Sequence, residues 1–256
     1  LVAGPIERSG RLLPQFDEIH RPDFEQMREG ALRILVGLLK KLLLADRLAT
    51  AVNLEYDSPG DYGAPAIIVS TVCFAFQIYC DFAAYSDIAV GSAALLGFRL
   101  MRNFDRPYLS RSIGAFWRRW HISLSSWFRD YLYIPLGGSR VSAPRRALNT
   151  LIVFGLSGLW HGSDWTFVLW GLLNGLYLVL GRLTAPLRER ALRRLRVPPQ
   201  GRLRAVLATV CTFALVCFAW MLFRANGTDD LRVLLTRLCS AWELASLRQL
   251  VGQISG

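Results

Sequence analysis

His161 and His121 are the residues of this chain whose type and setting invite chemistry. His161 closes an apolar run that begins at Ala147, and it stands in Gly158-Leu159-Trp160-His161-Gly162. At about 1.5 Å of rise per residue that run covers roughly 22 Å, which places the ring deep in a bilayer. An ionisable side chain at such a depth marks a functional site by default. A neutral imidazole keeps one nitrogen lone pair, able to take a proton from a hydroxyl or a thiol. Trp160 precedes the histidine, and Gly162 is expected to end the helix and leave the ring open to an approaching group. The alternative is a histidine that packs helices together, its ring bonded to a carbonyl.

His121 lies in Trp117-Arg118-Arg119-Trp120-His121-Ile122-Ser123-Leu124-Ser125-Ser126-Trp127. On a continuous helix Trp117, His121 and Ser125 share a face, so Ser125 or a backbone group is expected to fix the tautomer. Arg118 and Arg119, with Trp120 between them and the histidine, offer forked hydrogen bonds to phosphates. Lipid headgroups would be held equally well. Gln77, Asp81 and Tyr85 recur at i, i+4, i+8 in another apolar run, with Ser92 near the same face. A carboxylate there is expected to look into the protein, as part of a buried hydrogen-bond network or as a substrate contact. No nucleotide loop, HExxH or GxSxG elbow occurs. Ser163-Asp164 after the histidine is too little for a serine triad.

These residues need elements to carry them. Of 256 residues, 53% are hydrophobic, more than a soluble domain of this size carries. Crossing a hydrocarbon core takes about 20 helical residues. Ala64 to Phe98, Ala147 to His161 with its continuation Trp165 to Gly181, and Leu203 to Phe223 meet that need. The spacing predicts an all-α, polytopic membrane protein. Close packing is expected at Gly158xxxGly162 and Gly171xxxGly175, where small residues let backbones approach. The net charge of +11 is nearly all arginine and sits between the apolar runs. That distribution follows the positive-inside rule and argues against a nucleic-acid partner. Gly181 to Arg204 holds eight arginines against one acid, Glu189, and is expected to be cytoplasmic. Arg99 to Arg146 mixes ten arginines with Phe116, Trp117, Trp120, Trp127, Phe128, Tyr131 and Tyr133. It reads as an interfacial helix ended by Pro135-Leu136-Gly137-Gly138.

Leu1 to Glu29 is polar, and Pro5, Pro14 and Pro22 argue against a helix there. Ala31 to Val52 carries Lys40, Lys41, Asp46 and Arg47, too much charge for a lipid-exposed span. It reads as an interfacial amphipathic helix or one buried against others. Asn53 to Gly63 is a turn-rich link, and the residues after Phe223 form an amphipathic tail. Cys73, Cys80, Cys211, Cys217 and Cys239 are odd in number, lack a CxxC and give neither a disulfide framework nor a metal site.

The run from Phe116, FWRRWHISLSSWFRDYLYIPLGG, resembles the central signature of the membrane-bound O-acyltransferases, closest to their bacterial alginate O-acetyltransferase type. SGLWHGSDWTFVLWGLLNG from Ser157 to Gly175 resembles the second signature. AGPIER at Ala3 to Arg8, QIYCDFAAYSDIAVG at Gln77 to Gly91 and FRA at Phe223 to Ala225 follow the same pattern in the same order. The resemblance implies a many-helix bundle with interfacial helices and a central tunnel, one membrane domain over residues 1–256. It implies a near-invariant histidine at His161 as catalytic proton acceptor and a second polar position at His121. Arg118, Arg119, Trp120, Ser125, Trp160, Asp81 and Tyr85 are the accompanying candidates for substrate contact. It further implies an acetyl donor, acetyl-coenzyme A, used from the cytoplasm with no bound cofactor. The acceptor would be an exported polysaccharide or a periplasmic acetyltransferase partner, and the setting the bacterial inner membrane. Alginate, cellulose, peptidoglycan and other glycans all fit. Cys80 and Ala83-Ala84 depart from the pattern as core changes. The expected helices before AGPIER and after FRA are missing, and the chain begins at Leu1, so it reads as part of a longer one. A transporter or proton relay using Asp81, His121 and His161 would show inverted repeats, and none is visible. A non-catalytic scaffold is the third class.

Overall fold

The computed structural model describes residues 4–17, 21–194, 198 and 201–255. Leu1 to Ala3, where the AGPIER motif begins, and residues 195–197 and 199–200 of the arginine-rich link lie outside the described residues. The described chain is helical and shows no strand, as the apolar periodicity predicts. Its α-helices in chain order are α1 (Ser9–Leu12), α2 (Phe24–Leu39), α3 (Asp46–Tyr56), α4 (Ala64–Leu95), α5 (Ile113–Trp117) and α6 (Ile122–Phe128). They continue as α7 (Ala143–His161), α8 (Trp165–Leu183), α9 (Ala185–Arg194), α10 (Arg202–Arg224), α11 (Thr228–Ser240) and α12 (Leu244–Ser255). Of these, α4, α8 and α10 are long and apolar enough to cross a membrane. The chain divides into two compact units. The first comprises residues up to Asp105, His121–Leu124 and Arg237–Gly256; the second comprises Arg106–Trp120 and Ser125–Thr236.

In the first unit the prolines precede helices instead of preventing them. Pro14 opens a short 3-10 turn, Leu13–Phe16, where its missing N–H costs nothing. After Pro22, Asp23 caps α2 by accepting a hydrogen bond from the Gln26 N–H at 2.8 Å. The helix therefore starts at Phe24, inside the stretch expected to be irregular. Lys40–Ala45 forms a π-helical segment that joins α2 to α3 without a break. Buried Gly30, Gly37, Ala45 and Val52 make a stripe, and the one eight-residue step falls across that segment. This long helix packs along α4. The approach is close: a Cβ on Gly91 would meet Ile34 Cγ1 at 2.8 Å.

The charges that weigh against a buried helix find partners on α4. Lys40 Nζ lies 2.6 Å from Asp87, and Lys41 Nζ lies 2.7 Å from Asp81 and 2.8 Å from Asp46. At the N-terminal end of α4 the Ala64 N–H donates to the Ala241 carbonyl at 2.7 Å, and α12 packs on α3 and α4.

In the second unit α7 and α8 form an antiparallel hairpin joined by Gly162-Ser163-Asp164. The Asp164 carboxylate caps α8, accepting from the Thr166 N–H at 2.8 Å. Replacing it with alanine is expected to destabilise the hairpin by about 1 kcal/mol, the usual worth of an N-cap. A thermal midpoint unchanged in Asp164→Ala would refute this role. Gly158 and Gly171 sit where the helices touch: the Phe167 and Phe154 carbonyls occupy the space a Cβ would need. The expected close packing is therefore present. Helix α10 lies on α8 and on the turn Pro107–Leu109, with α5 also against α8. Their aromatic rings interlock. Phe116 stacks on Trp120 at 5.5 Å, Trp120 tilts onto Trp220 at 5.0 Å, and Trp220 stacks on Trp170 at 5.8 Å.

Arg99 to Arg146 is not one interfacial helix. It breaks into α5, α6 and a π-helical segment at Arg129–Tyr133, ahead of the turn that holds Pro135 to Gly138. The cause is backbone conformation. Arg106 (φ 47) and His121 (φ 43) are left-handed, which no helix accommodates. Helix α7 in turn starts at Ala143, with Pro144 in its first turn, four residues ahead of the apolar run.

Candidate active site

His161 is the last residue of α7, one turn beyond Ser157. Its Nδ1 lies 2.6 Å from the Ser157 carbonyl oxygen. A carbonyl only accepts, so Nδ1 carries the proton, and in the neutral ring Nε2 holds the lone pair. The carbonyl bond expected of a helix-packing histidine is present. The ring is bonded to a carbonyl of its own helix, and that bond is what leaves the other nitrogen available.

Aromatic rings surround the imidazole. Trp160 stands edge-on at 4.9 Å, Trp170 at 4.9 Å and Phe223 at 5.5 Å. Trp170 is almost fully buried, and it is also 5.8 Å from Trp117. Trp160 is half exposed. The cage fixes the ring's plane and leaves its neighbourhood apolar, conditions that strengthen a hydrogen bond made there. Gly162 ends α7 as expected, but it does not leave open space beside the ring. Its backbone is extended (φ 173), and the ring of Phe167 fills the place a Cβ would take. The glycine admits Phe167 beside the histidine.

His121 precedes α6 and is buried, with 4% of its surface exposed. The shared face with Trp117 and Ser125 does not exist, because the left-handed turn at His121 separates α5 from α6. Ser125 donates to the Trp120 carbonyl at 3.1 Å. Ser123 is the hydroxyl near the ring, 3.5 Å from Nδ1, and Phe82 lies against the ring edge at 4.6 Å. Beyond Ser123 lie Asn103 and Ser86, both buried and hydrogen-bonded to each other at 3.1 Å. The sequence reading missed Asn103, Ser123, Ser86 and Phe82 around His121, and Ser157, Trp170 and Phe223 around His161. Asn103, an uncharged amide amid arginines, is the residue whose type could have pointed to such a network.

Trp120 is buried in the aromatic stack of the second unit, Arg118 is exposed, and Arg119 is partly so. Among the described residues neither arginine has an acidic partner. Asp81 does not look into a buried network as expected. Its side chain is 51% exposed and is neutralised by Lys41. Tyr85 is half exposed on the same side.

The sequence matches the family described as MBOAT, membrane-bound O-acyltransferase family, over residues 1–223. The chain belongs to the membrane-bound O-acyltransferase family. Its match to the probable alginate O-acetylase of Azotobacter vinelandii is 42% identical and covers 90% of this chain and 43% of that protein. The peptidoglycan O-acetyltransferase of Helicobacter pylori is 35% identical over 90% of this chain and 42% of its own length. The teichoic acid D-alanyltransferase of Streptococcus thermophilus is 30% identical over 89% of this chain and 59% of its own. The chain spans less than half the length of the alginate and peptidoglycan relatives it matches. As an MBOAT with three apolar helices it is a membrane protein.

Proposed function

We propose that the chain forms part of a membrane O-acyltransferase of the bacterial inner membrane. It would pass an acetyl group from a thioester donor, acetyl-coenzyme A, to hydroxyls of an exported polysaccharide, directly or through a periplasmic acetyltransferase partner. The observation that carries this reading is the bond from His161 Nδ1 to the Ser157 carbonyl, which leaves Nε2 as a base inside an aromatic cage. In the reaction Nε2 takes the proton of the acceptor hydroxyl as its oxygen attacks the thioester carbonyl. A C–O bond forms, the C–S bond breaks, and the proton passes from the imidazolium to the departing thiolate. Arg118, exposed, and Arg119, partly exposed, have no acidic partner among the described residues and suit the donor's phosphates. Trp160, half exposed beside His161, suits the edge of the path by which a reactant reaches the ring.

The relatives' names supply the rest of the argument. Alginate and peptidoglycan are polysaccharides, and the O-acetylating relatives are more similar to this chain than the D-alanylating one. The full-length protein in lipid nanodiscs should move label from acetyl-labelled coenzyme A into alkali-labile esters on an added glycan. Labelled thioester that stays intact with every glycan offered would overturn the acetyl-donor reading.

A further inference from the structure

His121 sits in a strained left-handed turn, and one residue from elsewhere in the same unit, Asn103, engages both residues that follow it, one by its backbone carbonyl and the other by its side chain. The Asn103 carbonyl oxygen accepts the Ile122 N–H at 2.9 Å. Asn103 Oδ1 accepts the Ser123 N–H at 3.3 Å and the Ser123 hydroxyl at 2.6 Å. A backbone N–H can only donate, so the atom facing it is the amide oxygen and the orientation of the Asn103 side chain is fixed. Its Nδ2 then donates to Ser86 Oγ at 3.1 Å. Asn103, Ser123 and Ser86 are 2%, 0% and 4% exposed, so water does not compete for these bonds.

The directions follow one from another. Ser123 spends its proton on Asn103, so its oxygen turns lone pairs toward His121. The nitrogen it faces there is Nδ1, 3.5 Å away, and only a protonated nitrogen is satisfied by a lone pair. We infer that Asn103, acting through Ser123, is a positioning residue that holds His121 as the Nδ1–H tautomer with Nε2 bare. In both histidines the protonated nitrogen is then Nδ1, set at His121 by a serine hydroxyl and at His161 by the Ser157 carbonyl. The clamp rests on the proposed acyl transfer only for its kinetic consequence.

The test uses the full-length protein with 15N-labelled histidine, the His121 signals being those lost in His121→Asn. The unaltered protein should show a protonated Nδ1 and a bare Nε2 at His121. Ser123→Ala keeps the backbone bond to Asn103 and removes only the hydroxyl. It should give a mixture of tautomers and lower kcat about 10-fold, the usual loss when a histidine's orienting partner is removed, with KM for the donor unchanged. Ser86→Ala, which frees the Asn103 amide from further away, should shift the tautomer in the same sense. A bare Nδ1 in the unaltered protein, or one unchanged tautomer in both variants, overturns the inference. A shifted tautomer with kcat intact upholds the clamp and instead removes His121 from the reaction.

Discussion

His161→Gln in the full-length protein is expected to lower acyl transfer about 10²- to 10⁴-fold, the span that a positioned general base contributes. Glutamine is the informative replacement. Its amide reaches the position of Nε2 and keeps the cage of Trp160, Trp170 and Phe223 filled, with no acid or new charge introduced. What it lacks is a basic nitrogen at the position of Nε2. Membrane insertion and thermal stability should therefore survive while turnover does not. Alanine would also open a void among the aromatic rings, mixing a packing loss with the chemical one. The measurement is transfer rate per folded protein at saturating donor and acceptor. A rate within about tenfold of the unaltered enzyme would remove the imidazole from the proton transfer.

The second large effect is expected far from any proton. Gly171→Val should cost about 3 kcal/mol, the upper end for overpacking, because the obstacle is backbone and not the flexible end of a side chain. The Phe154 carbonyl stands where the new Cβ must go, and the Gly158 amide nitrogen lies 3.1 Å from that place. No rotamer change relieves this, so α7 and α8 must separate. His161 ends one of these helices and Trp170 belongs to the other, so the cage around the imidazole opens with them. Gly181 is the control. It lies in the same helix with nothing within 4 Å of its Cβ position. Gly181→Ala should be neutral or stabilising by about 0.5–1 kcal/mol, from reduced chain entropy and better helix propensity. Thermal unfolding of both variants in one detergent decides the matter. Equal midpoints would show that the hairpin does not depend on the contact.

What the sequence revealed depended on how local the cause was. Helices α4, α8 and α10 are long apolar runs, and lipid selects for that pattern residue by residue. The α7–α8 contact was only weakly legible, because glycines spaced four apart are common in membrane helices, and it is the carbonyls facing Gly158 and Gly171 that mark these two as the point of approach. A helix over Ala31 to Val52 was legible, but its place was left open between the interface and other helices, because Lys40 and Lys41 look like solvent-facing charges until Asp81 and Asp87 of α4 are seen beside them. The face assigned to Trp117, His121 and Ser125 failed for a related reason. A left-handed residue that is not glycine leaves little trace in composition, and what stabilises it here is Asn103, well back along the chain. The carbonyl bond expected of a helix-packing His161 was legible, since its partner Ser157 lies a single helical turn away.

The wide turn at Lys40–Ala45 bears on how this part of the molecule tolerates changes in length. A π segment takes up one surplus residue, so the buried positions before and after it meet α4 in phase despite their uneven spacing. Shortening the chain by one residue within 40–45 would tighten that turn to ordinary pitch and leave both flanks facing inward. The same cut between Gly30 and Gly37 would rotate the preceding part of α2 by about 100°, turning Gly30 outward and pressing a bulky neighbour onto Gly91. The protein carries its slack in one place.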